Sequence, residues 1–146
     1  MAEPAGCLFD RIVAGLVAAP IVFEDDSSLA FLDHRPVFPG HMLLIPKQHY
    51  ETLADLPDAL IQPFFANARL LARAVEAALE ADGTFVAINN RVSQSVPHLH
   101  VHIVPRRKKD GLRGFFWPRG TYTGPEESEK IRKSIANAVT RLRAGA

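Results

Sequence analysis

The run Gln94-Ser95-Val96-Pro97-His98-Leu99-His100-Val101-His102-Ile103-Val104-Pro105-Arg106 alternates imidazole and aliphatic side chains from residue 98 to 103. On a β-strand successive side chains point to opposite faces. His98, His100 and His102 then share one face, and Leu99, Val101 and Ile103 the other. Successive imidazoles start about 6.6 Å apart, from two residues at roughly 3.3 Å each. Pro97 suits the first residue of such a strand, which needs no ladder donor, and Pro105 ends it. Three readings compete for the histidine face. A plain solvated face fits three alternating imidazoles poorly. Neutral imidazoles can ligate a metal, and i, i+2 spacing can place two on one ion. An imidazole is also a nucleophile toward phosphorus. If Nδ1–H donates to a backbone carbonyl, the tautomer is fixed and Nε2 keeps its lone pair. Periodicity does not choose between metal and nucleophile. The preceding Ser93 to Pro97 can hold an anion beside the histidines with hydroxyls and backbone N–H groups.

Upstream of this run, residues 84–89 read as a strand and 98–104 as its neighbour. Leu60, Phe64, Ala68, Leu71, Val75 and Leu79 recur at helical steps, so a long helix is expected over 58–81. Pro63 lies early in it as a source of a kink or a late start, and Asp82-Gly83 closes it. Residues 20–24, 28–33 and 41–46 are three more strand candidates. Asp25-Asp26-Ser27 reads as the hairpin turn between the first two, and Arg35 to Gly40 as a Pro- and Gly-rich loop. Residues 7–15 suit a short helix that Gly15 can end, and 126–143 a last one. Helices and strands in this order give an α+β fold with an antiparallel sheet of about five strands, a long central helix and a C-terminal helix.

The chain has 146 residues, 47% of them apolar. That suits one domain spanning 1–146, with a motif-bearing core over about 7–106 and a C-terminal extension over about 107–146. Seventeen basic residues against 16 acidic ones demand no nucleic-acid or membrane partner. Arg106 to Lys109 is too short a basic cluster to argue for nucleic acid, and Asp110 follows it directly. Cys7 is the only cysteine, which excludes an intrachain disulfide and fits a reducing compartment. Met1 to Gly6 does not resemble a secretory signal. The longest apolar stretch, Leu16 to Phe23, is far shorter than a membrane span. A cytoplasmic location is the expectation.

The histidine run resembles the signature of the histidine triad (HIT) superfamily. The resemblance extends upstream through Cys7 to Gly15, Ile21 to Asp25, Ala30 to Asp33, Arg35-Pro36, Pro39-Gly40-His41 and Leu44 to Lys47, with His49 nearby. It covers roughly residues 7–106. Gly114 to Arg119 resembles the tail of some bacterial members. The resemblance implies a HIT fold and a nucleotide hydrolase or transferase, acting on a nucleoside phosphoramidate or a dinucleoside polyphosphate. His100 would attack the α-phosphorus and form a covalent nucleotidyl-imidazole that water then hydrolyses. The carbonyl of His98 would orient the His100 ring. His102 would contact α-phosphate or leaving-group oxygens, and His41 would close the polar network. Asp33 would hold the ribose hydroxyls, Ser95, Gln94 and either Asn89 or Asn90 the phosphates, and Leu8, Phe9, Ile12 and Phe31 the purine.

A homodimer, with the long helix and a sheet element at its interface, is also implied, and no cofactor is required. Zinc-bearing branches begin with Cys-x-x-Cys, whereas here Cys7 is followed by Asp10. A structural zinc on Cys7, Asp10, His49 and His98 is chemically feasible, but the missing thiolate weighs against it. Asp33 resembles the phosphoramidase branch, and Pro105 to Lys109 the dinucleoside polyphosphate branch. A nucleotide-binding regulatory protein with little catalysis is the alternative from another class.

Overall fold

A computed structural model describes residues 6–112 and 119–145 of the chain. Residues 1–5 and the Gly114 to Pro118 part of the tail motif lie outside the described residues. The chain falls into two compact units, the first ending at Asp110 and the second beginning at Gly111.

The first unit holds α1 (Leu8–Val13), β1 (Ile21–Glu24), β2 (Ser28–Leu32), β3 (Met42–Pro46), α2 (Asp58–Leu79), β4 (Gly83–Ile88) and β5 (Val101–Arg106). The strands form one sheet in the order β1-β2-β3-β5-β4, and every pairing is antiparallel. The expected hairpin turn is present. Asp25 Oδ1 accepts from the backbone N–H groups of Ser27 (3.0 Å) and Ser28 (2.8 Å), the Asx arrangement that short polar side chains favour. Asn67 of α2 donates to the other carboxylate oxygen at 2.8 Å and ties the hairpin to the helix.

The sheet is covered on both faces. Ala30, Met42, Leu44, Leu99, Val101 and Ile103 meet Phe64, Ala68, Leu71 and Val75 of α2 in one core. Leu29, Phe31, Leu43 and Ile45 meet Cys7, Phe9 and Ile12 on the other side. This is why Met42 to Ile45 reads as an unbroken apolar run: β3 has no solvated face. Full burial of a side chain such as Phe64 or Leu71 is worth about 1.5–3 kcal/mol.

Several boundaries differ from those expected, each for a local reason. Pro63 neither delays nor ends α2. It stands inside the helix, whose buried stripe on the sheet outweighs one lost backbone bond. The helix ends on Glu80, which takes the left-handed conformation at φ 52, rather than on Asp82-Gly83. β5 begins at Val101, so Pro97 is not its first residue, and His98 and His100 stand just ahead of it. The backbone N–H of Leu99 donates across to Tyr50 instead of into the ladder. Nor does Pro105 end β5. The pairing with β3 stops at Ile103, whereas Pro105 pairs with Thr84 of β4. A missing N–H is tolerated where a strand has a neighbour on one side only.

Two glycines are conformational requirements. Gly15 follows Ala14, the C-cap of α1, at φ +76, the usual left-handed stop. Gly40 has φ +100, and a Cβ there would run into Leu79 and crowd Pro105. Gly40 lets the loop before β3 pass against α2 and so delivers His41 to the sheet.

The second unit contains α3 (Pro125–Arg143). Pro125 occupies the first turn with Glu126 and Glu127, and Arg141 and Arg143 occupy the last, an order that suits the helix dipole. Among the described residues no helix is long and apolar enough to cross a membrane.

Candidate active site

A cleft of 300 Å³ opens on the α1 side of the sheet. Phe9 and Ile12 of α1 line it, with Phe31 of β2, Asp33 just after β2, Ser95, His100 and His102. Phe9 meets the edges of both Phe31 and His100, with ring centroids 5.4 Å and 5.1 Å apart. Leu43 pairs with His102 across β3 and β5, which puts His102 on the α1 face. The histidine face is therefore the wall of a largely apolar slot.

The hydrogen-bond network assigns a tautomer to each imidazole. His100 Nδ1 lies 2.7 Å from the carbonyl oxygen of His98. A carbonyl only accepts, so Nδ1 carries the hydrogen and Nε2 keeps its lone pair. The backbone N–H of Val37 donates to His41 Nδ1 at 3.1 Å, so neutral His41 carries its hydrogen on Nε2. That nitrogen donates to His102 Nδ1 at 3.0 Å, which leaves the His102 hydrogen on Nε2. The cleft thus holds one ring with a lone pair on Nε2 and one with a donor on Nε2. Asp33 fixes the far end. Its Oδ1 accepts from the Arg35 N–H at 2.9 Å, and its Oδ2 lies 3.6 Å from His41 Nε2.

All three rings are held neutral. Burial lowers the His100 pKa, against the pull of the His98 carbonyl and the Asp33 charge. Burial likewise lowers that of His41, with Asp33 opposing it. His102 is pushed down to about 4, by burial first and then by His100 and His41. A ring in this state keeps the lone pair that a nucleophile needs.

The structure brings Phe9, Ile12, Phe31, Asp33, Ser95, His100, His102 and His41 together around the cleft, but not two of the expected phosphate ligands. Both ends of the Gln94 amide are engaged: Oε1 accepts from the Arg91 N–H at 2.8 Å, and Nε2 donates to the Glu51 carbonyl at 2.6 Å. Asn90 Oδ1 accepts from the Leu53 N–H at 2.9 Å. Neither residue lines the cleft. Both brace a short loop in which Arg91 (φ 68) and Ser93 (φ 60) are left-handed. The Val17 to Pro20 segment, Leu43 and His34 also line the cleft. For Val17 to Pro20 the signal in the sequence is the apolar run from Leu16 to Phe23, too short for a membrane span and too Pro-interrupted for a helix.

The profile of the HIT domain matches residues 16–109 of the chain. The chain belongs to the HIT domain family. A HIT family protein of Bacillus subtilis superimposes on this HIT chain with a TM-score of 0.80 at 37% identity, covering 90% of this chain and 96% of that one. A match that broad runs past the first unit. An adenosine 5′-monophosphoramidase of Saccharomyces cerevisiae is 36% identical over 111 residues, 74% of this chain and 68% of its own length. A zinc-bound histidine triad protein of Mycobacterium smegmatis has a TM-score of 0.70 at 35% identity, covering 93% of this chain and 97% of that one.

The zinc-bound relative directs attention to a second cluster in this HIT domain. Cys7 Sγ, an Asp10 oxygen and one nitrogen each of His49 and His98 lie within 4.8 Å of one another. His98 is fully buried, and its Nε2 donates to the Pro46 carbonyl at 2.8 Å, so the neutral ring turns the Nδ1 lone pair into the cluster. Asp10 Oδ1 stands 3.3 Å from that nitrogen and Cys7 Sγ 3.5 Å. His49 Nδ1 and Asp10 Oδ2 are 2.8 Å apart, yet both are buried without a hydrogen bond. Cys7 Sγ and His98 Nδ1 are within hydrogen-bond distance of each other, whereas Asp10 Oδ2 and His49 Nδ1 are left unbonded, and this convergence fits a shared cation. Burial pushes the Cys7 thiol above its ordinary range, and a bound ion would reverse that. One sulfur, two nitrogens and one oxygen make a donor set that zinc accepts. Asp33, His41 and His102 also lie within reach of one ion. There, however, a ligand bond to His41 Nε2 would displace its hydrogen and force a second one onto Nδ1, against the Val37 N–H. Within that trio His41 and His102 form a hydrogen-bond relay, with the Asp33 carboxylate 3.6 Å from His41 Nε2.

Proposed function

We propose that this chain is a nucleotide hydrolase that attacks the α-phosphorus of a nucleoside phosphoramidate through a covalent nucleotidyl-His100 intermediate. The observation that carries the proposal is the bond from His100 Nδ1–H to the His98 carbonyl, which leaves the Nε2 lone pair in the cleft. Nε2 forms a bond to phosphorus as the bond from phosphorus to the amine breaks, and the amine departs with a proton taken from solvent water, which the water consumed in the second step returns. Water then displaces the imidazole, releasing the nucleoside monophosphate and restoring the lone pair. His102 Nε2–H hydrogen-bonds the phosphoryl or leaving-group atoms in the first step. Phe9, Ile12 and Phe31 sandwich the base, Asp33 accepts from the ribose, and Ser95 contributes its hydroxyl.

Two features favour a phosphoramidate over a dinucleoside polyphosphate. Asp33 is a carboxylate, the choice that resembles the phosphoramidase branch. The basic cluster is largely committed elsewhere: Arg106 pairs with Asp110, at 2.6 Å from Nε and 3.0 Å from Nη2, and Arg107 donates to the Leu79 carbonyl. Zinc, if bound, would be held by Cys7, Asp10, His49 and His98, where it would cross-link α1 to the segment ahead of β5 and add stability, while the displacement at phosphorus would rest on His100. The homodimer uses the open edge of β4 and the exposed Ile61, Phe65 and Leu79 of α2.

The deciding experiment is a mass spectrum of protein quenched without acid after brief mixing with an adenosine phosphoramidate, and in parallel with diadenosine polyphosphates. An adenylyl mass on the His100 peptide from the phosphoramidate supports the proposal. Loading by the polyphosphate alone would reassign the leaving group. Absence of adduct and turnover with both would leave a binding protein.

A further inference from the structure

Ser95 and Val96 line the nucleoside cleft and also a second cavity, of 450 Å³, which they share with Cys7, His49, Glu51 and Pro97. The segment is thus a partition between two open spaces. Among the described residues Ser95 makes no hydrogen bond of its own. Neither packing nor a direct bond therefore holds its hydroxyl in place, and the task falls to its neighbours. On the C-terminal side the Leu99 N–H donates to the Tyr50 carbonyl at 2.6 Å, and His98 Nε2 to the Pro46 carbonyl at 2.8 Å. On the N-terminal side stands the loop from Asn90 to Gln94. Arg91 and Ser93 are left-handed there without being glycine. That conformation costs free energy and persists only where the surroundings over-determine it. Val92 between them is 82% exposed, so burial does not offset the cost. Three bonds hold the loop instead. Asn90 Oδ1 accepts from the Leu53 N–H, Gln94 Oε1 accepts from the Arg91 N–H inside the loop, and Gln94 Nε2 donates to the Glu51 carbonyl outside it. Gln94 ties the loop both to itself and to the segment behind it, and the next residue is Ser95.

We propose that Gln94 is a positioning residue that acts through Ser95: its two amide bonds fix the loop so that the Ser95 hydroxyl stays aimed at the phosphoryl end of the cleft. This role rests on the catalytic reading of Ser95 given above. An amide with both ends bonded to the backbone is not offered to a phosphate, so Gln94 itself does not touch the substrate. A reacting group displaced by about 1 Å can forfeit roughly 100-fold in rate. Ground-state binding changes little, because Phe9, Phe31 and Asp33 hold the nucleoside from other elements.

The test is a double-mutant cycle on the full-length chain, with Gln94→Met, Ser95→Ala and both together. Methionine keeps the length of the side chain and removes both of its bonding ends. Turnover of an adenosine phosphoramidate gives kcat and KM, and hydrogen exchange at the Arg91 amide reports on the loop. Gln94→Met is expected to lose about 10–100-fold in kcat with KM within about two-fold. Exchange should quicken at Arg91 but not at Leu99, whose partner is Tyr50. In the Ser95→Ala background Gln94→Met should cost less than about two-fold further. Equal losses in both backgrounds would mean that Gln94 acts on its own account and would overturn the proposal. So would an unchanged kcat in Gln94→Met, or unchanged exchange at Arg91. A rise in KM that accounts for the whole loss overturns it in favour of a direct phosphate contact. Absence of phosphoramidate turnover by the parent chain overturns the catalytic reading and this role with it. Turnover by the parent with an additive cycle counts against the positioning role alone.

Discussion

At the scale of single residues, the cleft depends on where three hydrogens sit. His100→Ala removes the lone pair and one ring of the cleft wall, while Phe9, Ile12, Phe31 and Asp33 remain to hold the nucleoside. Turnover is expected to fall about 10³-fold or more, with the affinity for adenosine monophosphate changed only a few-fold. Stopped-flow turnover and calorimetric binding measure the two separately, and full retained activity would sink the mechanism. His41→Ala acts at one remove. Without the Nε2–H donor at 3.0 Å, the His102 hydrogen is free to sit on either nitrogen. A loss in kcat of roughly 10–100-fold with little change in KM is expected, the usual cost of removing an orienting partner. An equal rise in KM would mean that His41 shapes binding instead. The relay was only partly legible in the sequence. Alternation placed His100 and His102 on one face, but no pattern shows that the Val37 backbone would set the His41 tautomer. Gln94 and Asn90 sit in the right stretch, and only the folded loop shows both ends of the Gln94 amide and the Asn90 Oδ1 engaged by backbone partners.

At the scale of elements, Gly40 links the core to the chemistry. Gly40→Ala would be strained at φ +100 and would also push the Leu79 side chain aside. A loss of about 1–3 kcal/mol is expected from the strained backbone alone, together with reduced turnover because His41 is the next residue. Chemical denaturation and kinetics on the same preparation check both parts, and an unchanged midpoint would mean that the loop simply relaxes. Elements with a strong local signal were readable from the sequence: the α2 stripe, the β1 and β2 strands and the Asp25 turn between them. Boundaries decided by tertiary partners were not. Leu99 turns its N–H to Tyr50, which delays β5, and the one-sided pairing beyond Ile103 lets β5 continue through Pro105.

At the scale of the whole molecule, the buried imidazoles couple stability to pH. His41, His100 and His102 all have pKa values below the ordinary 6.5, that of His102 falling to about 4. The unfolded chain takes up protons as pH drops through about 6.5 while the folded chain resists, so unfolding gains ground. Stability is expected to be flat above about pH 7 and to fall between pH 6.5 and 4. Urea midpoints across that range test this, and His102→Asn should flatten the slope. A profile rising toward pH 4 would contradict the neutral tautomers. Metal content is a second global readout. About one zinc per chain is expected by elemental analysis, falling in Asp10→Ala along with the melting temperature, and restored in Asp10→Cys. Metal-free protein melting at the same temperature as loaded protein would remove zinc from the account. His98 stands between these two systems, with its ring in the cluster of Cys7, Asp10 and His49 and its carbonyl on His100. Side-chain substitutions reach only the first of these. Every residue type has a carbonyl, so the group that aims the nucleophile cannot be deleted by a codon change at that position. A lineage of such proteins is free to gain, trade or discard a metal there without having to reinvent its catalysis.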